Sequence, residues 1–346
     1  MSEQATATLP PAYTPLPAVV SVGAFTGFGR LNAVQLPGFD RPWVGNLMTP
    51  AKDPDFVWDE DFVHTMTVFW LQSTKRAIKL IGHTGTGKTE GVFQWHAALN
   101  LPLLVVMGNP RTEAVSMIGG MQLTPKGMQW VDGPVTKAAR LGLSVLIDEY
   151  NLIDPGENSG LNALLEGKPY TVPETGETIV PQPGFRVFVT MNPKTTGYRG
   201  RQMQDMANDG RFAKLTTRYM LPEVETRLVK KSLSKLYGQT KNSPDEVALD
   251  QFAKNFVEVA NAIRKQYMGV NDGAAALPCT MCTRTTLAMA EWTAMGRLLL
   301  PPNKSAMHWA LDKVLASDQP AEVQEALHQI LRTTTGEPEE ISVSEV

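Results

Sequence analysis

The chain has 346 residues, 42% of them hydrophobic and 19% charged, with a net charge of −3. That composition excludes a fibrous or disordered protein and leaves room for two domains with their own cores. The balanced charge supplies no global basic field for nucleic acid, and no run approaches the roughly 18 consecutive apolar residues of a membrane span. A cytoplasmic protein without a membrane partner is the expectation.

Residues 1–54 carry many Pro and Gly with no sustained period and read as an N-terminal arm. Met1 to Val22 has neither the basic start nor the apolar run of a signal peptide. A helix is expected from about Glu60 to Gln72. From Lys75 to about Leu221 strands and helices alternate, the pattern of a parallel sheet wrapped by helices. The first strand, Ala77 to Ile81, runs into Gly82-His83-Thr84-Gly85-Thr86-Gly87-Lys88-Thr89, and Glu90 to Leu99 reads as the helix that leaves it. Strand, G-x-x-x-x-G-K-[ST] loop and helix form a phosphate-binding unit. The glycines let successive N–H groups point at phosphates, and the helix N-terminus adds positive charge. Lys88 is placed to reach the β/γ-phosphates of a nucleoside triphosphate and Thr89 to ligate Mg²⁺.

A second strand is expected over Leu103 to Met107 and a third over Ser144 to Ile147, the latter ending in Asp148-Glu149. That puts two carboxylates at the carboxyl edge of a central strand. Asp148 can hold the Mg²⁺ hydration shell, and Glu149 can orient and deprotonate the attacking water. The strand Arg186 to Thr190 leads to Met191-Asn192-Pro193, which sets Asn192 beside the same edge as a polar sensor of the γ-phosphate or lytic water. A short strand near Arg218 to Leu221 completes the core, residues 55–222.

After Pro222 the chain turns helical, with helices near Val224 to Tyr237, Pro244 to Gln266, Thr283 to Leu299 and Pro320 to Leu331. These make a small all-helical domain, residues 223–333, followed by an acidic, frayed tail, 334–346. The two cysteines, Cys279 and Cys282, read as small apolar residues entering a helix; with five scattered histidines they lack the partners of a zinc site.

The set Gly82 to Thr89, Asp148-Glu149 and Thr190-Met191-Asn192-Pro193 resembles the AAA+ ATPases. Ser116 to Gly120 with Gly127 to Pro134 resembles the insert that interrupts the second helix in the MoxR group. Lys168 to Val180, turning at Glu174-Thr175-Gly176-Glu177, resembles that group's hairpin before the sensor strand. Within the group, Gly82 to Gly85, Asp148-Glu149-Tyr150 and the stretch from Thr195 to Tyr198 on to Arg211-Phe212 and Thr216-Thr217 are similar to the small ATPase subunit of cobaltochelatase (CobS-like) and to CbbQ/NirQ proteins. Gas-vesicle ATPases are neighbours.

The resemblance implies a P-loop three-layer αβα core with a helix-2 insert and a pre-sensor hairpin, a helical lid, and a homo-oligomeric, hexameric ring. It implies a trans-acting arginine at Arg211, in Asn208-Asp209-Gly210-Arg211-Phe212, where a glycine departs from the family's Asp-Arg pattern; Arg199, Arg201 and Arg218 are the other candidates. It implies a second sensor at Arg284, at the start of a helix that would ordinarily favour acids. Such rings act with a von Willebrand A domain protein on a protein client or metal centre, with Met117, Ile118, Met121 and Trp130 as contacts if exposed. A nucleic-acid translocase would need basic residues where Glu174 and Glu177 stand. A low-turnover switch would lack Glu149.

Overall fold

A computed structural model describes residues 15–45, 47–72, 74–193, 210–238, 244–269 and 276–339. The chain divides into two compact units, one of residues up to His83 and Gly87–Thr217, the other of Thr84–Thr86 and residues from Arg218 onward.

In the first unit the elements run β1 (Pro17–Ser21), α1 (Val22–Thr26), β2 (Gln35–Phe39), α2 (Glu60–Leu71), β3 (Ala77–Ile81), α3 (Lys88–Ala98) and β4 (Leu103–Met107). There follow α4 (Ala114–Ile118), β5 (Gly119–Thr124), β6 (Gly127–Asp132), α5 (Pro134–Leu141) and β7 (Ser144–Asp148). The unit closes with α6 (Pro155–Ser159), α7 (Asn162–Leu165), β8 (Tyr170–Thr171), β9 (Thr178–Ile179), β10 (Arg186–Met191) and β11 (Phe212–Thr216). Five strands form a parallel sheet in the order β11-β3-β10-β7-β4. Because both faces are covered, β3, β7 and β10 read as apolar runs, and their side chains are buried almost throughout.

The last strand is corrected: it is Phe212–Thr216, and 217–221 carry no strand. Phe212 and Leu215 supply the buried contacts that fix it beside β3, whereas Pro222 opens the next helix. The N-terminal stretch, expected as an arm, is folded over its described part. β1 pairs antiparallel with β2 across the short α1, and Val22 and Leu36 are buried in the cluster on one face of the sheet.

That cluster is aromatic. Asp59 caps α2 by accepting from Phe62 N at 2.8 Å, with Glu60 and Asp61 favouring the helix N-terminus. The helix carries Phe62 and Trp70 against Trp95 of α3. His96 lies between Trp70 and Phe188, fully buried; its Nδ1 bonds Val92 O at 2.8 Å, and its Nε2 meets no partner among the described residues. Burial pushes its pKa down to about 4. At pH 8 the imidazole is neutral folded and unfolded. As pH falls through about 6.5 the unfolded chain takes up a proton that the native state refuses, so stability declines down to about pH 4, by roughly 3 kcal/mol in total. Denaturant unfolding of the native chain and His96→Met between pH 8 and 4.5 should show a shallower acid decline in the variant; equal slopes would count against this assignment.

Two hairpins, β5–β6 and β8–β9, leave the layers. Arg140 on α5 joins them: Nε donates to Asp132 Oδ2 at 2.6 Å, and the two terminal nitrogens donate to Glu177 at 2.5 and 2.8 Å. The Arg140 guanidinium in turn holds the Glu177 carboxyl below its usual range. At the base of the first hairpin Met117 and Ile118 are buried in the core under the sheet, so they do not meet the condition of exposure set for client contacts. Trp130 is half-buried, its indole donating to Asp132 at 2.8 Å, and Met121 is exposed.

The second unit is helical: α8 (Pro222–Tyr237), α9 (Glu246–Tyr267), α10 (Thr283–Leu299), α11 (Ala306–Leu311) and α12 (Ala321–Thr335), with a π-helical turn over Asp312–Ala316. Val229, Phe256, Ala260, Met289, Leu311 and Leu331 anchor its core. Cys282 caps α10 and Cys279 packs against that core; both are free thiols. The start of the tail, expected to fray, is tied down as far as Glu339: the Ser305 hydroxyl donates to Glu337 at 2.5 Å and Arg332 to Glu339 at 3.1 Å. No helix among the described residues is long and apolar enough to cross a membrane.

Candidate active site

Ligands of open parallel sheets bind beyond the carboxyl ends of the strands. β3 ends at Ile81, and Gly82 N donates to Met191 O at 3.2 Å, which ties the start of the loop to the end of β10. The loop then turns into α3 through Gly87, whose φ of 79° lies where L side chains are strained. Thr84, Gly85 and Thr86 group with the second unit, and Gly85 also has φ of 79°.

Lys88 is the first residue of α3 and is buried. Its ammonium donates to Gly82 O at 2.8 Å, His83 O at 2.9 Å and Asn192 Oδ1 at 2.9 Å. Burial, and then the Lys88 charge, lower the His83 pKa, so the imidazole beside the loop is neutral near pH 7. Thr89 turns its hydroxyl to Asp148 Oδ1 at 2.8 Å. Asp148 is the last residue of β7 and Glu149 the first beyond it, with φ of 51° and ψ of 41°. The Glu149 carboxylate accepts from Asn192 Nδ2 at 3.3 and 3.4 Å. Lys88, Asn192 and Glu149 form one hydrogen-bonded set and Thr89 with Asp148 another, and the two meet in one network at the ends of β3, β7 and β10 through Thr190.

Thr190 belongs to it and was not singled out in the sequence. Its hydroxyl donates to Asp148 Oδ1 and accepts from Glu149 N at 3.0 Å. The available signal was register: Val189 pairs with Ile147, so Thr190 comes level with Asp148.

These residues fit a nucleoside triphosphate with Mg²⁺. Lys88 is a buried cation surrounded by neutral acceptors at a helix N-terminus, a setting that favours an added anion. A Thr89 hydroxyl bonded to an Asp148 carboxylate is an oxygen pair suited to a hard cation. Bound Mg²⁺ would neutralise charge on the phosphates. Lys88 would hold them, Asp148 and Thr89 would hold the metal, and Glu149 and Asn192 would face the water.

Arg211, just before β11, donates Nε to Glu166 Oε1 at 2.6 Å. Lys168 and Arg211 together hold the Glu166 carboxyl below its usual range, Lys168 the more strongly. Arg284, the second residue of α10, and Arg218 belong to the helical unit and are exposed. Arg199, Arg201, Asn208, Asp209 and the stretch from Thr195 to Tyr198 lie outside the described residues.

The AAA domain family (dynein-related subfamily) matches residues 77–212, from the start of β3 to the start of β11. The chain is 26% identical over 279 residues to the aerobic cobaltochelatase subunit CobS of Sinorhizobium sp, spanning 76% of this chain and 77% of that protein. An uncharacterized protein of Staphylococcus haemolyticus is 31% identical over 202 residues, 57% of this chain and 72% of its own length. The protein CbbQ of Hydrogenophilus thermoluteolus is 31% identical over 153 residues, 43% of this chain and 56% of its own. With a nucleotide-binding AAA domain laid over the segment that carries Lys88, Asp148 and Asn192, the chain belongs to the AAA+ ATPases, in their MoxR-like group.

Proposed function

We propose that this ATPase works as a Mg²⁺-dependent, hexameric ring that remodels a protein partner, or drives chelatase-type loading of a metal, together with a von Willebrand A domain protein. In this proposal residues 55–222 are the motor core, residues 223–333 its lid, Glu149 the base, Asn192 and Arg284 the sensors, and Gly82 to Thr89 with Asp148 the ATP and Mg²⁺ site. The observation that carries hydrolysis is the network in which Lys88, Asn192 and Glu149 are joined to Thr89 and Asp148 through Thr190. It supplies a phosphate cation, a metal carboxylate and a water-facing carboxylate, the parts that positioning and charge stabilisation require.

A protein client is supported by the β5–β6 ribbon. Directly opposed residues share a face, and Met121 with Trp130 and Leu123 with Met128 make one face apolar, while Gln122 opposes Gln129 on the other. Leu123 is 82% and Met128 59% exposed at its end. Such groups favour a buried destination. The second hairpin carries Glu174 and Glu177, a poor surface for nucleic-acid phosphates.

For Arg211 to act on a neighbour's nucleotide it must exchange Glu166 for phosphate. Arg211→Ala should then cut turnover by about 10³ or more. Mixing it with Lys88→Ala chains, each inactive alone, should restore hydrolysis at mixed interfaces. Sizing with ATP should give six chain masses. Intact rings without rescue would remove Arg211 from the role, and a monomer at micromolar concentration with ATP would remove the ring.

A further inference from the structure

We propose that Thr190 and Gly108 are positioning residues that clamp the Asp148-Glu149 peptide from its two neighbouring strands and so aim the Glu149 carboxylate. The clamp rests on the assignment of Glu149 as the hydrolytic base. β7 lies between β10 and β4, and each neighbour sends one contact to the point where β7 ends. From β10, Thr190 is 1% exposed and uses its hydroxyl both as donor and as acceptor. It donates to Asp148 Oδ1 and accepts Glu149 N–H at 3.0 Å. From β4, Gly108 N donates to Asp148 O at 2.8 Å. A Cβ at Gly108 would lie 2.7 Å from Asp148 O and 2.8 Å from Glu149 O, closer than real side chains come. Only glycine lets this strand end approach.

The clamp matters because of the conformation it holds. Glu149 is a non-glycine residue at φ of 51°, a left-handed backbone that L side chains avoid unless their surroundings impose it. Among the described residues the other such case is Asn100, at the end of α3. Turned to an ordinary right-handed or extended conformation, the same backbone would point the Glu149 side chain elsewhere. Thr190 secures the N–H of this residue, and Gly108 crowds the carbonyls on either side of it. The phosphate-holding contacts of Lys88 at Gly82, His83 and Asn192 are made by other residues than these two.

The test compares Thr190→Val, Thr190→Ser and Gly108→Ala with Glu149→Gln and the native chain, measuring kcat, KM for ATP and the melting midpoint. Valine keeps the shape and removes both hydrogen bonds, so kcat should fall at least about tenfold with KM within about threefold. Serine keeps the hydroxyl and should restore kcat to within about threefold of native. Gly108→Ala keeps the hydroxyl but displaces the peptide, and should again lower kcat more than KM changes; it decides the matter if Thr190→Val does not fold. Native kcat in Thr190→Val beside an inactive Glu149→Gln would overturn the clamp alone, as would serine no faster than valine. An active Glu149→Gln would remove the base, and the clamp with it.

Discussion

Glu149→Gln should lower ATP turnover by about 10²- to 10⁴-fold, the range associated with a positioned general base, and leave nucleotide affinity near native. Glutamine has the same length and still offers one oxygen to Asn192 Nδ2, while the backbone N–H of residue 149 keeps its bond to Thr190. Nothing that holds phosphate or metal changes: Lys88 retains Gly82, His83 and Asn192, and Thr89 retains Asp148. What disappears is the oxygen able to take a proton from water. Phosphate release under saturating ATP, with a fluorescent-nucleotide titration on the same sample, measures both quantities. Turnover within a factor of about three of native would exclude Glu149 as the base.

Glu225→Ala should destabilise the helical unit by about 3–5 kcal/mol, the largest effect on stability expected in the chain. Arg264 on α9 and Glu225 on α8 are both buried, 1% and 0% exposed. They meet in a fork, with nitrogen–oxygen distances of 2.6 and 2.7 Å. Arg264 Nε also donates to Met281 O at 2.6 Å, one terminal nitrogen reaches Asn261 at 3.1 Å, and the guanidinium lies 4.6 Å from the Tyr219 ring centre. Removing the carboxylate leaves a cation in the core with no counter-charge, whereas replacing both partners by apolar residues of similar volume removes the problem with the pair. Denaturant unfolding of Glu225→Ala should therefore shift far more than that of Glu225→Leu combined with Arg264→Met. Equal shifts would mean that packing, not charge, dominates at this site.

Much of the core was legible because its signals are local. Ala77–Ile81 and Leu103–Met107 are short apolar runs between turn residues; the first is buried on both faces and has no alternation to obscure it, while the second lies at the sheet edge with Val105 and Met107 exposed. Thr283–Leu299 was bounded correctly because a run of good helix formers ends before Pro301. Lys88, Asp148 and Asn192 were found because each stands at a fixed offset from a strand end. What was missed depends on partners distant in sequence. The β1–β2 ladder pairs residues separated by a helix, and no window of the sequence contains both. β11 was placed too late because Arg218-Tyr219-Met220-Leu221 looks more strand-like than Phe212-Ala213-Lys214-Leu215, whose merit is the contact with β3. Whether Met117 and Ile118 are exposed for docking or packed inside was open from their place in an insert, and α4 turns them inward against α5. Thr190 was read as the end of a strand and the start of the motif around Asn192, with no role of its own, since a hydroxyl gains meaning from what stands level with it across the sheet.

The shared guanidinium of Arg140 has a mechanical consequence. Two ribbons separated in the chain by α5, β7, α6 and α7 lean on one cation, so neither can swing without loosening the anchor of the other. Force arriving at the apolar tip near Leu123 would pass through Asp132 and Arg140 to Glu177, and the pair would behave as a single lever. Since the joint is ionic and about a third exposed, added salt would slacken both arms together.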